Sequence, residues 1–192
     1  MLKIFYKQSP DSEVEELEDV RPGCLVYVDD ASTSDLETIS SLTHIPYADL
    51  LDCLDKYEIP RVELIEDNLM VFTRYPTNYE AGLYTGTLTL ILTDHYLVTI
   101  TPHISNLIKA FLAEKNKTTT ISNTKLLINI LHKISQEFTG EIRKVRYNIL
   151  SAEKEMISVE SEDITALTKN EEILNQYLSS LSTTRTALEG MK

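Results

Sequence analysis

The chain has no tryptophan, two cysteines and five glycines among 192 residues, and each shortage closes off a kind of chemistry. Cys24 and Cys53 make neither a disulfide framework nor a C-x-x-C pair, which points to a reducing, cytoplasmic setting. Gly23, Gly82, Gly86, Gly140 and Gly190 are scattered, so they build no phosphate-cradling loop. His44, His95, His103 and His132 stand far apart and offer none of the short spacings of a zinc site. There is no G-x-S-x-G, and neither cysteine sits in a nucleophile signature. No apolar run approaches the roughly 18 residues of a spanning helix. The N-terminal "MLKIFYKQSPD" turns polar too soon for a signal peptide.

Positive charge is also scarce where nucleic acid would need it. The net charge is −12. Residues 1–100 carry 19 acids against 6 bases, residues 101–140 carry 2 against 5, and residues 141–192 carry 9 against 7. A phosphate backbone requires a basic stripe, and none exists, so nucleic acid is excluded as a partner. An acidic face suits divalent cations or a basic partner, although most such faces are simply solvated.

What the sequence does contain is two kinds of periodicity. "LKIFY" (2–6) and "LVYV" (25–28) read as short strands around an acidic, turn-prone segment. "STSDLETISSLTHI" opens a helix in which Ser34 and Glu37 form a capping box. Pro46 starts a second helix, with Tyr47, Leu50, Leu51 and Leu54 as its apolar face and Asp49, Asp52 and Asp55 toward water. Pro60 forces an extended exit. "RVELIE" and "LMVFTRY" then form a hairpin turning at Asp67-Asn68. A second hairpin joins "TGTLTLILTD", with Leu88, Leu90 and Leu92 on one face, to "YLVTIT".

From His103 onward the period is helical. A short helix at 104–113 and a Thr-rich spacer precede two long segments. The first repeats Leu131, Ile134, Phe138, Ile142, Val145, Ile149, Ala152 and Met156. In the second, Ile164, Leu167, Leu174, Leu178, Leu181 and Leu188 fit a heptad, with Glu171 and Arg185 at the skipped seam positions. "SVESED" carries the turn between them, and Ser161 is a candidate N-cap. The expected architecture is α/β (α+β), a mixed sheet of about six strands with helices on one side, followed by a long antiparallel helical hairpin. The boundaries are 1–115 for the α/β sandwich and 120–192 for the hairpin. Asp29-Asp30 and Asp49 with Asp52 are the carboxylate pairs that could take Mg²⁺, with capping and solvation as the competing roles. Nothing points to an organic cofactor or to catalysis, so the chain reads as no enzyme.

The order of elements resembles the N-terminal cytoplasmic domain of the CorA family of divalent-cation (Mg²⁺/Co²⁺) transporters. The resemblance is carried by "YVDDASTSDLETISSLTHIPYADLLDCLDKYEIPRVELIEDNLMVF", in which His44-Ile45-Pro46, Asp52 and Pro60-Arg61-Val62-Glu63 fall at matching spacing. "LTLILTDHYLVTITP" matches the hairpin that follows. Tyr27 stands where the family usually has tryptophan, and Gly190-Met191 is not followed by the asparagine of the family's G-M-N. The resemblance implies a cation-sensing, gating domain at the cytoplasmic face of the membrane, soluble without the stalk and two membrane helices that would follow. It implies a homo-oligomer, pentameric when complete, with Mg²⁺ as a weak regulatory ligand between subunits. On this chain the metal role falls to Glu80, in "RYPTNYEAG" after the strand at 69–75. A zinc-transporting branch of the same family is a variant of this expectation. The alternative is a free-standing protein-interaction module whose coiled hairpin docks a helical partner through Ile173 and Tyr177.

Overall fold

The computed structural model describes residues 1–80, 82–114, 118–155 and 161–190, without the side chains of 78–80, 152–155 and 161–163. Seven strands form one sheet: β1 (Leu2–Tyr6), β2 (Glu15–Leu17), β3 (Leu25–Val28), β4 (Arg61–Ile65), β5 (Asn68–Glu80), β6 (Leu83–Leu92) and β7 (Leu97–Ile100), in the order β2-β1-β3-β7-β6-β5-β4. The central β3–β7 pair is parallel and every other pair is antiparallel. The expected mixed sheet is therefore present, with β2 arising from the acidic segment read as turn.

Alternation along the central strands sends side chains into two cores. Val26, Val28, Met70, Phe72, Ile91, Val98 and Ile100 meet Leu36, Ile39, Ile45 and Leu50 on one face. These come from α1 (Thr33–Thr43), α2 (Tyr47–Leu50) and the step between them. Leu25, Tyr27, Val71, Leu88, Leu90 and Leu97 point the other way. There they meet α3 (Leu107–Ala113), α4 (Asn123–Glu155) and α5 (Ser161–Glu189) through Ile108, Phe111, Leu126, Ile130, Phe138 and Tyr177. Helices α1 and α2 occupy one side as expected, and the long pair covers the other side along much of its length. Because both faces are covered, β3 and β7 are buried at every position.

Several local details differ from the sequence pattern. The cap of α1 is Ser32 with Asp35, not Ser34 with Glu37: the Asp35 N–H donates to Ser32 Oγ, and Asp35 Oδ2 accepts from the Ser32 N–H at 3.0 Å. The second helix is one α turn, tightening to a 3-10 turn at Leu51–Leu54. That tightening buries Leu50 and Cys53 and leaves Leu51 outside. The β4–β5 turn residues are Glu66 and Asp67, both at positive φ, one position earlier than expected. Asn68 stays in the strand, and its amide donates to the carbonyls of Thr43 and Glu66. The segment after Tyr75 continues as strand to Glu80, with an irregularity in pairing after Pro76. The "SVESED" turn and the cap at Ser161 lie outside the described residues and side chains.

The largest difference is the face that α5 presents inward. Tyr177 is buried and meets Phe138 edge-on at 5.2 Å between ring centres. Ser180 is buried, Ile173 packs against the same core, and Thr184 Oγ1 lies 3.4 Å from Thr73 Oγ1 of β5. Part of the leucine seam is turned away: Ile164, Leu167 and Leu178 are exposed, whereas Leu181 packs against the core and Leu174 is half-buried. Small hydroxyl residues let the helix axis approach the sheet closely, which the leucines would prevent. Ile173 and Tyr177 are therefore core residues and not the exposed docking pair of the interaction-module expectation.

This register makes opposite forecasts for neighbouring residues. Phe138→Ala should cost about 3–5 kcal/mol in urea unfolding, whereas Leu178→Ala, one position past Tyr177, should stay within about 0.5 kcal/mol.

Candidate functional site

Two acidic regions and one buried polar cluster compete as the functional site. On the α2 side, Asp49, Asp52 and Asp55 face water as expected. This ridge is already neutralised in part from within. Arg61 Nη2 donates to Asp52 at 2.6 Å, Nε donates to Glu63 at 2.8 Å, and Nη1 pairs with Glu58. The guanidinium also lies over the Phe72 ring, 3.9 Å from its centre. Partial burial works against its charge, but Glu63, Glu58 and Asp52 together outweigh that and hold its pKa above the ordinary value. Asp55 accepts from the Tyr57 N–H at 2.8 Å and serves the turn. Arg61 thus occupies the place a cation would take among Asp52, Glu58 and Glu63.

The Asp29-Asp30 pair divides its labour. Asp29 is buried at the end of β3 and accepts from the Ser105 N–H at 2.7 Å, Thr101 Oγ1 at 3.2 Å and Lys109 Nζ at 3.3 Å. Those bonds fasten the β7–α3 loop across the parallel pair. Asp30 is exposed at φ +51° and turns the chain toward α1. Among the described residues no group of three or more His, Cys, Asp or Glu side chains is arranged to hold a metal ion.

The same loop brings together residues whose spacing offered little reason to group them. His103 Nε2 lies 2.9 Å from the Tyr75 hydroxyl. A Cβ on Gly86 would stand only 2.7 Å from that nitrogen and 3.0 Å from the Tyr75 ring. Glycine inside a strand marks a close approach, and this was the one available signal. Burial holds the His103 pKa below 6.5; Asp29 and Asp30 pull it up and Arg74 pushes it down. Arg74 is itself buried, donating to Thr85 Oγ1 at 2.9 Å and to the carbonyls of Thr85, Glu58 and Lys56 at 2.8, 3.0 and 3.2 Å. It ties the Lys56–Glu58 segment to β6. Of the other histidines, His44 is the left-handed C-cap of α1, His95 is an exposed turn residue, and His132 is exposed on α4.

The third region is the far end of the β5–β6 hairpin. Glu80 closes β5 opposite Leu83, and its side chain lies outside the described set. Gln176 of α5 grips the hairpin end: its Oε1 accepts from the Tyr84 N–H at 2.9 Å and its Nε2 donates to the Gly82 carbonyl at 2.8 Å. Glu172, one turn earlier on α5, places a carboxylate oxygen 3.8 Å from where a Gly82 Cβ would be. Sequence spacing could not pair positions 80 and 172, since only the packing of α5 on the sheet brings them to one end.

This fold has relatives. The sequence profile of the family described as CorA-like Mg²⁺ transporter protein matches residues 24–192. The chain belongs to that family. Among solved structures it resembles the complete CorA magnesium transporter from Methanocaldococcus jannaschii, with a TM-score of 0.82 at 20% identity, covering 100% of this chain and 62% of that one. It resembles the soluble domain of the same protein with a TM-score of 0.83 at 19% identity, covering 98% and 77%. A ZntB cytoplasmic domain from Vibrio parahaemolyticus follows at 0.70 and 14% identity, covering 98% and 79%. No curated protein matches the sequence. The chain therefore spans less than two thirds of the complete transporter it resembles, and no helix among the described residues is long and apolar enough to cross a membrane.

Two measurements check the polar clusters. His103 contributes stability that is whole above about pH 6.5 and is lost as pH falls toward its depressed folded pKa, because the unfolded chain then binds the proton more readily. Urea midpoints between about pH 7.5 and 5 should fall, and His103→Gln should flatten that fall. Arg61→Ala should lower stability by about 1 kcal/mol at low salt. In that variant alone, millimolar Mg²⁺ should restore part of the loss by replacing the missing cation.

Proposed function

We propose that this chain is the extramembrane, cation-sensing part of a CorA-like divalent-cation transporter, and that it gates conduction without being an enzyme. The observation that carries the reading is that the family match runs from β3 through α5, leaving out only β1 and β2, and so takes in the α5 grip on the β5–β6 hairpin. In this reading the domain lies at the cytoplasmic face of the membrane. The assembled transporter is a homo-oligomer, a pentamer by family resemblance, and Mg²⁺ acts as a weak regulatory ligand between subunits. Glu80 is the metal-site residue, and Glu172 at the same end adds to the negative field there. Cations bridging acidic faces of neighbouring subunits would favour one packing, and their loss would release it. The zinc-transporting branch of the family is a variant of the same reading.

A site shared between subunits leaves each chain with half of its ligands. Thermal melting in about 10 mM Mg²⁺ against ionic-strength-matched K⁺ should therefore move Tm by no more than about 2 °C, without saturation. A saturable rise of about 5 °C or more would mean a complete site inside the chain and would overturn the shared-site reading.

A further inference from the structure

Helices α4 and α5 meet at Phe138 and Tyr177, and from there toward their connection the facing positions stop being apolar. At 3.6 residues per turn, Glu141, Lys144, Val145 and Asn148 share one face of α4. Lys169, Asn170, Ile173 and Tyr177 share one face of α5. Val145 is buried and Ile173 half-buried, but the other places that an antiparallel hairpin closes with aliphatic side chains hold amides and charges. Between these two faces and the β5–β6 hairpin lies an open groove of about 490 Å³. That is an ordinary size for a small-molecule site.

The groove combines an apolar floor with a surplus of hydrogen-bond donors. Tyr84 and Tyr177 both line it and are only 8% and 5% exposed, yet among the described residues neither hydroxyl has a partner. A buried tyrosine ordinarily bonds its hydroxyl, so both are left for whatever fills the groove. Burial and the Glu141 carboxylate raise the Tyr177 pKa to about 12, which keeps it an O–H donor at neutral pH. Lys169, Asn148 and Asn170 likewise have no partner among the described residues. The one pure acceptor is Glu141, and Lys144 already donates to it at 2.6 Å. Residues at functional sites are where a hydrophobic pattern is broken without a structural return.

We propose that this groove binds a small aromatic phosphate, its ring lying on Pro76, Val145 and Ile173 and its oxygens taking the donors of Lys169, the two tyrosines and the two asparagines. A cationic ligand would meet two lysines and a carboxylate already paired. A wholly apolar one would cover the hydroxyls and amides without bonding them. At about 150 mM salt the screening length is about 8 Å, so these local groups outweigh the net negative charge of the rest of the chain. The site goes beyond the gating reading and does not depend on it.

The probe is α-naphthyl phosphate, followed by amide NMR spectra of the nitrogen-labelled 192-residue chain in EDTA and about 150 mM salt. The side-chain amide signals of Asn148 and Asn170 should shift saturably, with a Kd of about 0.1–1 mM. Inorganic phosphate and α-naphthol, the two halves of the probe, should each bind at least about tenfold more weakly. Ala166 is an exposed residue on the groove wall. Ala166→Trp, which fills the groove, and Lys169→Glu, which reverses its free charge, should each weaken the phosphate by about tenfold or more. Unchanged urea midpoints in both variants would place the effect at the groove. The absence of a saturable shift overturns the proposal. So does α-naphthol binding as tightly as its phosphate, or binding indifferent to both substitutions. Because EDTA removes divalent cations, none of these outcomes bears on the shared Mg²⁺ site.

Discussion

The parallel pairing of β3 with β7 is the constraint on which the rest of this molecule depends. It joins residues 25–28 to residues 97–100 at the centre of the sheet, so the intervening chain must leave and return to supply strands β6, β5 and β4. Neither strand has a wet face, and each alternates between two cores. Parallel central strands are stable only when both sides are covered. That requirement recruits α1 and α2 to one side and α3, α4 and α5 to the other. Asp29 sits at the end of this pair and holds the β7–α3 loop in place, which gives it a structural use for its charge.

Much of the architecture was legible because strands and helices leave different periods. The alternation through Leu88, Leu90 and Leu92 and the step at Pro60 are local signals, and both were followed by the chain. Turn positions were less legible. Asp67 tolerates positive φ as expected, but Asn68 was worth more in the strand, where its amide closes on Thr43 and Glu66. The α5 face was the harder case. Apolar spacing reveals that a helix has an apolar side, but not whether that side wins the contest for the core. Here Tyr177, Ser180 and Thr184 take the place nearest the sheet, Leu181 packs at the edge of the core, and Ile164, Leu167 and Leu178 stay outside.

Functional residues divided along the same line. The acidic ridge around "DLLDCLD" was visible, but the guanidinium of Arg61 that satisfies three of its neighbours could be placed only by the turn at Pro60. The His103, Tyr75 and Gly86 contact joins residues from a loop and two strands, and apart from a glycine inside a strand it left no trace in the sequence. Position 80 was named through family resemblance alone. The meeting of Gln176 and Glu172 with Gly82 and Tyr84 at the hairpin end follows from where α5 lies on the sheet. The make-up of the hairpin end thus rests on one feature, the rotation of α5 about its own axis.

That rotation is the measurement to make first. Thr73 and Thr184 face one another with hydroxyls 3.4 Å apart, close enough for a cysteine pair to bond. The native Cys24 and Cys53 are fully buried and should not compete. Mild oxidation of a Thr73→Cys/Thr184→Cys variant should give a rapid intramolecular disulfide, seen as a mobility shift that reductant reverses. The account is contradicted if that pair stays reduced while Thr73→Cys/Arg185→Cys cross-links, because α5 would then face the sheet with its heptad seam.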